Sequence, residues 1–325
     1  MNARRNQAGA ALLTAMIIVT LIATLAAGMV WQQYRAVQIE AAERARAQSG
    51  WILQGALDWA RLILKEDLRG DQGRPPPKDH LGEPWAVPLA EARLSTFLAA
   101  DKNAGSDDGP EAFLSGSIED AQGRYNLNAL TTGAQVAPDE KTTLEQLCTQ
   151  ANAPPGTAAL IINGLRAAFP TPASGASGPA GTTGQSGPLK PAGLDQLSWL
   201  GLDADTLKRL QPYVVLLPRP TPVNLNTAPR EVIAALLHID LASAERIVQG
   251  RKGRPLQTIA DAATYLSPDF KIPPDRASVN SAFFIVTGRL RLEERQLEQR
   301  SLIERLSTQE TKVLARERIS QLIDR

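Results

Sequence analysis

No charged residue occurs between Arg5 and Arg35. From Ala10 to Val30 the chain runs through 21 residues whose apolar side chains are interrupted only by threonines and Gly28. At about 1.5 Å per residue, such a helix covers roughly 30 Å, the thickness of a bilayer core. Arg4 and Arg5 precede the run and no acidic residue does. That asymmetry keeps the amino end in the cytoplasm. Trp31 and Tyr34 stand at the far end, where amphipathic rings favour the interface.

A cleaved secretory signal is the competing reading. Small residues at Ala23, Ala26 and Ala27 suit a conventional signal peptidase. The apolar run is longer than the usual signal core, however, and helix character does not stop where a signal would. Residues 35–65 contain no proline, and Val37, Ala41, Ala45, Ile52, Ala56, Leu57, Ala60 and Leu64 recur at helical spacing. Gly50 and Gly55 weaken this stretch without ending it. The spacing predicts one helix from Ala10 to Lys65. Its first half is apolar all round, and its second half is amphipathic and packs on a soluble domain. Ala23, Ala26, Ala27 and Gly28 also let another helix approach closely.

The 325 residues leave room for two or three domains, and a net charge of +1 points to no acidic or nucleic partner by its field alone. The lone Cys148 excludes an intrachain disulfide, and two histidines, His80 and His238, do not furnish a zinc site of ordinary type. Aromatic residues are only 5% of the chain, so its core rests on aliphatic packing.

Beyond Lys65 proline, glycine and charge set in, a loop signature. Trp85 opens a short segment expected to be edge strand or packed coil. "FLSGSIEDAQGRYNLNAL" reads as a strand pair, Phe113 to Glu119 and Tyr125 to Leu127, about a turn at Asp120 to Gly123. Residues 139–151, 156–168 and 193–211 read as helices. Residues 170–191 are low-complexity, nearly uncharged and assigned no fold. Residues 278–292 alternate as a strand, with Phe283 and Ile285, then Leu290 and Leu292, on its faces. Periodicity leaves 293–325 open between helix and strand. If the strands at 113–128 and 278–292 pair, the helical block between them is an insertion in an antiparallel sheet packed on the long helix.

Asn126-Leu127-Asn128 is echoed by Asn224-Leu225-Asn226, each ahead of a helical stretch. Asparagine suits helix entries because its side chain bonds nearby backbone amides. The second copy opens a segment that fits a helix-hairpin-helix: Pro229 at the first turn, a helix at Arg230 to Leu237, a turn, and a helix at Ala242 to Arg251. It resembles the helix-hairpin-helix domains of DNA-uptake proteins, which opens a rival function. Arg246, Arg251, Lys252 and Arg254 supply positive charge. The turn His238-Ile239-Asp240, though, lacks the glycine that exposes phosphate-binding amides and carries a carboxylate. Nucleic acid is therefore an unfavoured partner.

No phosphate-cradling glycine loop, His-Glu-x-x-His or serine elbow occurs, and enzymatic activity is not expected. Both histidines are expected at the surface. Cys148, spaced with Leu144 and Leu147, is expected as a small buried side chain rather than a nucleophile. Asp107, Asp108, Glu111, Glu119 and Asp120 are hard oxygen ligands of the type calcium takes, but lack the spacing of a known loop; a solvated acidic segment fits them better.

Taken together, the basic leader ending in Gly9, the apolar helix start and the helix continuing into a soluble domain resemble a type IV pilin or type II secretion pseudopilin. In those families a prepilin peptidase cuts after the glycine, which implies cleavage between Gly9 and Ala10. They usually carry glutamate at the fifth mature residue, where this chain has Thr14. The general secretion pathway protein K family of minor pseudopilins lacks it and is the better likeness. The resemblance implies an α+β pseudopilin fold: a long N-terminal helix on an antiparallel sheet, with a large inserted all-α domain of helix-hairpin-helix or sterile-alpha-motif-like units, and more strands in the tail. It divides the chain into leader 1–9, membrane span 10–30, periplasmic helix 31–66, sheet 67–128, insert units 129–220 and 221–277, and sheet 278–325. It implies a single-pass inner-membrane protein with a periplasmic C-terminal domain, working at the pseudopilus tip to initiate assembly and support export. Its partners would be other minor pseudopilins, prepilin peptidase, the inner-membrane assembly platform and membrane lipid. Calcium is the one cofactor so implied. An exported enzyme with a removed signal is the remaining alternative.

Overall fold

The computed structural model describes residues 7–70, 78–94, 112–169, 188–267, 270–292 and 295–322. The expected long helix is present as α1, Gln7–Gly70, five residues longer at its end than the spacing predicts. No proline interrupts it, and glycine alone is too weak a breaker to do so. The chain divides into two compact units at Gly55/Ala56. In the first unit every side chain from Ala10 to Arg44 is exposed.

In the second unit the sheet has five strands in the order β1-β2-β7-β8-β9: β1 Leu89–Arg93, β2 Ala112–Asp120, β7 Phe283–Leu292, β8 Arg295–Arg305 and β9 Thr311–Leu322. All its pairings are antiparallel. The segment left open at 293–325 thus contains two strands, because Leu297, Leu302 and Ile303 pair with Leu290, Ile285 and Phe284 on β7. β2 and β7 pair directly, from Ala112↔Leu292 to Asp120↔Phe284. Everything between them is therefore an insertion between adjacent strands, as expected.

The sheet is covered on both faces. Phe284, Val286 and Ile303 pack with Trp85 and with Leu57, Ala60 and Leu64 of α1. Phe283 and Ile285 face the other way, onto Ala121, Val215 and Leu217. Strand side chains alternate, so a strand buried on both faces must be apolar without interruption, and "FFIV" is. Trp85 lies in a single 3₁₀ turn, Pro84–Ala86, rather than in a strand, and its ring meets Phe284 edge-on at 5.3 Å. The edge strand is β1, just after it.

The expected strand pair at 113–127 does not form. After β2, Asp120 caps a 3₁₀ turn at Ala121–Gly123 by accepting from Gln122 N, which carries the chain away from the sheet. Tyr125–Asn126 (β3) then pairs in parallel with Val214–Val215 (β4). β2 takes its ladder from the ten-residue β7 instead.

Inside the insertion the two Asn-Leu-Asn strings are built alike. The helices are α2 Pro138–Gln150, α3 Thr157–Ala168, α4 Ala204–Leu210, α5 Arg230–Leu237, α6 Leu241–Gly253 and α7 Ile259–Ala263. Asn126 Oδ1 accepts from Asn128 N, and Asn224 Oδ1 from Asn226 N. Leu127 and Leu225 are both buried. As β3 pairs with β4, so Val223–Asn224 (β5) pairs in parallel with Ala277–Ser278 (β6). Each half continues into a helix pair, α2–α3 or α5–α6. The second helix of each pair carries a glycine at a close approach: Gly164 under Leu200 and Gly250 under Tyr265. Both halves share one core, aliphatic apart from Tyr125, and Cys148 lies in it beside Leu144 and Leu147. Burial pushes the Cys148 thiol up to about 11, which suits packing rather than attack.

A Cβ at Gly250 would overlap the ring of Tyr265. Gly250→Ala is expected to destabilise the insertion by roughly 1–3 kcal/mol, read as a lower urea midpoint with an unchanged slope. The double variant with Tyr265→Ala should cost less than the sum of the two single changes; strict additivity would show that the ring does not set the constraint.

Candidate functional site

Two features of the chain are built for a task other than holding a core. One is the exposed first part of α1. Its most apolar 18-residue window has a mean hydropathy of 2.4 and no buried residue. The only polar side chains in that run turn inward on the helix. Thr14 Oγ1 donates to Ala10 O and Ala11 O, both at 3.0 Å; Thr20 donates to Ile17 O and Thr24 to Leu21 O. Hydrocarbon offers no partner to a free hydroxyl, and this arrangement leaves it none to satisfy.

The other feature is a buried polar joint where α1, the sheet and the insertion meet within the second unit. Arg305, at the end of β8, is its centre and is 7% exposed. Nη1 donates to Leu64 O at 3.4 Å and to Asp67 Oδ2 at 2.9 Å, both on α1. Nη2 donates to Asp79 Oδ1 at 2.5 Å and to Ser281 O at 2.9 Å. The guanidinium also stacks 4.8 Å from the Phe284 ring centroid. Asp79, 1% exposed, accepts from Ser281 N at 2.7 Å through its other oxygen.

Asp120 extends the joint into the insertion. Its Oδ1 accepts from Gln122 N, and its Oδ2 from Asn224 Nδ2, Thr227 Oγ1 and Ser281 Oγ at 2.6–2.9 Å. Asn224 Nδ2 reaches Asp79 O as well. Gln122 closes the circuit, accepting from Ala282 N and donating to Pro222 O. The chain's exit from the sheet, its return and the midpoint of the insertion are thus tied at one place. Burial raises Asp120 against the four hydrogen bonds that favour its charged form. Burial also pushes Asp79 up to about 7, with Arg305 pulling it down. Glu83 is raised to about 7 by burial too, although it accepts from His80 N and Trp85 Nε1.

Of the acids proposed as calcium ligands, Asp107, Asp108 and Glu111 lie outside the described residues, as do Met1 to Asn6 of the leader and 170–187 of the low-complexity stretch. Glu119 is ion-paired to Arg124, and the oxygens of Asp120 are taken by Gln122 N, Asn224 Nδ2, Thr227 Oγ1 and Ser281 Oγ. Asp67, Asp79 and Glu83 do bring oxygens within 4.8 Å of one another, but the cation that two of them hold is Arg305. His238 is exposed, as expected, with a left-handed backbone that ends α5. His80, also expected at the surface, is half-buried, with Nε2 3.5 Å from Glu83. In the segment compared with DNA-binding hairpins, Asp240 fills the N-terminus of α6 by accepting from Ser243 N. Arg251 is buried and donates to Leu225 O, and Arg246 donates to Ser243 Oγ and Tyr265 O.

Sequence reasoning missed Asp79, Ser281 and Arg305. They lie far apart along the chain, and an arginine in an alternating strand carries no mark of burial. It did single out Asp120 and Asn224, for other reasons.

Residues 223–278, from the first residue of β5 to the last of β6, match the family model described as type II secretion system (T2SS), protein K. The chain is 30% identical to type II secretion system protein K of Pseudomonas aeruginosa, over 97% of its own length and 93% of that protein's. It is 26% identical to the protein of the same name from Pectobacterium carotovorum, over 97% of each. Among solved structures it resembles a chain of the GspK-GspI-GspJ complex from the enterotoxigenic Escherichia coli type 2 secretion system. The TM-score is 0.63 at 20% identity, and the match covers 85% of this chain and 98% of that one.

Arg305→Met removes the guanidinium and leaves Asp79 buried without its partner. It is expected to cost about 3–5 kcal/mol in urea unfolding, far more than a surface pair would. Arg305→Lys should recover only part, because one ammonium cannot reach four acceptors in fork geometry.

Proposed function

The chain belongs to the type II secretion system protein K family of minor pseudopilins, and from that premise we propose that it sits at the tip of the periplasmic pseudopilus and initiates its assembly. One observation carries the reading. A single uninterrupted helix begins as an exposed, fully apolar surface and ends with Leu57, Ala60 and Leu64 buried under a five-stranded sheet. A helix of that kind anchors a folded domain at a membrane and offers its apolar part to other helices.

The leader is removed after Gly9 by prepilin peptidase, which leaves Ala10 as the new terminus. The domain then stands on the periplasmic side, held by the basic leader's preference for the cytoplasm. Thr14 supports the tip position. Where a filament subunit presents a glutamate to its neighbour's amine, Thr14 keeps its hydroxyl on its own helix and brings no charge. A subunit with no predecessor has no amine to neutralise. The E. coli complex named above joins GspK with GspI and GspJ. By that likeness, the partners here are the corresponding minor pseudopilins, with the assembly platform and lipid around the span. The task is assembly rather than catalysis, and the insertion supplies bulk at the tip.

N-terminal sequencing of the membrane-bound form tests this directly, with Ala10 expected first. Gly9→Val should leave the chain unprocessed and abolish export by the secretion system. A mature start near Gly28, or normal processing of Gly9→Val, overturns the reading.

A further inference from the structure

Among the described residues, the charged and titratable groups that face one another at the joint come from four elements. They are Asp67 on α1; Asp79, His80 and Glu83 on the segment leading to β1; Asp120 at the end of β2; and Arg305 at the end of β8. The oxygens of Asp67, Asp79 and Glu83 all lie within 4.8 Å of one another. Carboxylates that close, away from water, repel strongly when all are ionised. Arg305 holds Asp67 and Asp79, and Asp120 accepts four hydrogen bonds; these partners oppose the burial that raises Asp79 and Asp120. Glu83 is differently placed. Its side chain is only 12% exposed; Oε2 accepts from two neutral donors, and Oε1 lies 3.5 Å from the His80 imidazole.

Glu83 also sits where charge matters mechanically. Its segment carries Trp85, which fills the core between α1 and β7, and its backbone is tied to the return of the insertion through Asp79 N and Val279 O. A negative charge at Glu83 would press against Asp67 on the last turn of α1 and against Asp79 beside it.

We propose that this cluster is a proton-dependent latch on the end of α1: near neutral pH the folded chain carries a proton here, centred on Glu83, that the unfolded chain does not. Loss of that proton sets Glu83 against Asp67 and Asp79 and loosens the Trp85 segment from the helix.

The sign follows from linkage. A carboxylate held up to about 7 in the folded chain, against an unfolded value near 4, contributes stability below the unfolded value. That contribution is lost as pH rises through the folded value. The domain therefore weakens from mildly acid pH up to about pH 7, and this contribution levels off above that.

The test is thermal unfolding of the full chain in detergent micelles between about pH 5.5 and 8.5, followed by circular dichroism. Each pH unit over which one proton is released changes the folding equilibrium about tenfold, or about 2–4 °C in Tm for a domain of this size. Tm should fall from about pH 5.5 to about 7 and level off above that. Glu83→Gln, which keeps a neutral group of the same shape, should flatten the fall. A wild-type Tm that is level or rising in the acid part of the window, or a Glu83→Gln variant with the wild-type slope, overturns the proposal. A carboxylic-acid carbonyl band in infrared difference spectra of the wild type, titrating away near neutrality, supports it without any variant; its absence overturns it. Millimolar calcium that raises Tm at the alkaline end and removes the slope would identify a cation site instead, and also overturns the latch.

Discussion

The guanidinium of Arg305 is the contact on which the second unit depends. It holds the last turns of α1, the segment before β1 and the start of β7 at once, through Leu64 O, Asp67, Asp79 and Ser281 O. Beside it, Asp120 and Asn224 fix where the insertion leaves the sheet and where its second half begins. A buried ion pair adds little net stability over an apolar replacement, but a broken one is expensive. Its value here is positional. The insertion departs and returns between adjacent strands β2 and β7, and a small error there would misplace some 160 residues of helical domain relative to the sheet that carries them.

That arrangement explains how a sheet of five strands tolerates so large an insertion. Both crossing points lie at the same end of the β2–β7 ladder, where Asp120 is paired with Phe284. The ladder itself is uninterrupted for nine residue pairs. The insertion brings its own core, made of two halves with the same plan. Each enters on a short parallel strand and an Asn-Leu-Asn turn, and each packs a third element against a glycine on its second helix. The family match covers only the second half, from β5 to β6. The first half follows the same plan with little sequence left in common beyond the Asn-Leu-Asn string and one glycine.

In the first unit the physical demand is different. A helix in hydrocarbon must satisfy every polar group itself, and each threonine of the span does so by bonding back along the helix.

Much of this was legible in the residues. The uncharged run, the absence of proline to Lys65 and the apolar spacing of Leu57, Ala60 and Leu64 determine a helix that is exposed and apolar first and amphipathic later, because helix period and hydrophobic pattern are local properties. The alternation at 278–292 and the Asn-Leu-Asn echo likewise mark a strand and two helical entries. The tail was not legible, since Leu297, Leu302 and Ile303 satisfy helical spacing as well as strand pairing, and only partners on β7 decide between them. The expected hairpin at 113–127 failed for the same reason: which strand lies beside β2 is settled by a segment more than 160 residues later. Asp79, Ser281 and Arg305 are likewise far apart along the chain and acquire a role only when brought together. The sequence by itself determined the elements and the apolar start of the long helix, because those depend on neighbouring residues. The tertiary structure alone decided strand order, the two-layered burial of the sheet and the polar joint, because each is a balance among groups that meet only after the chain has folded.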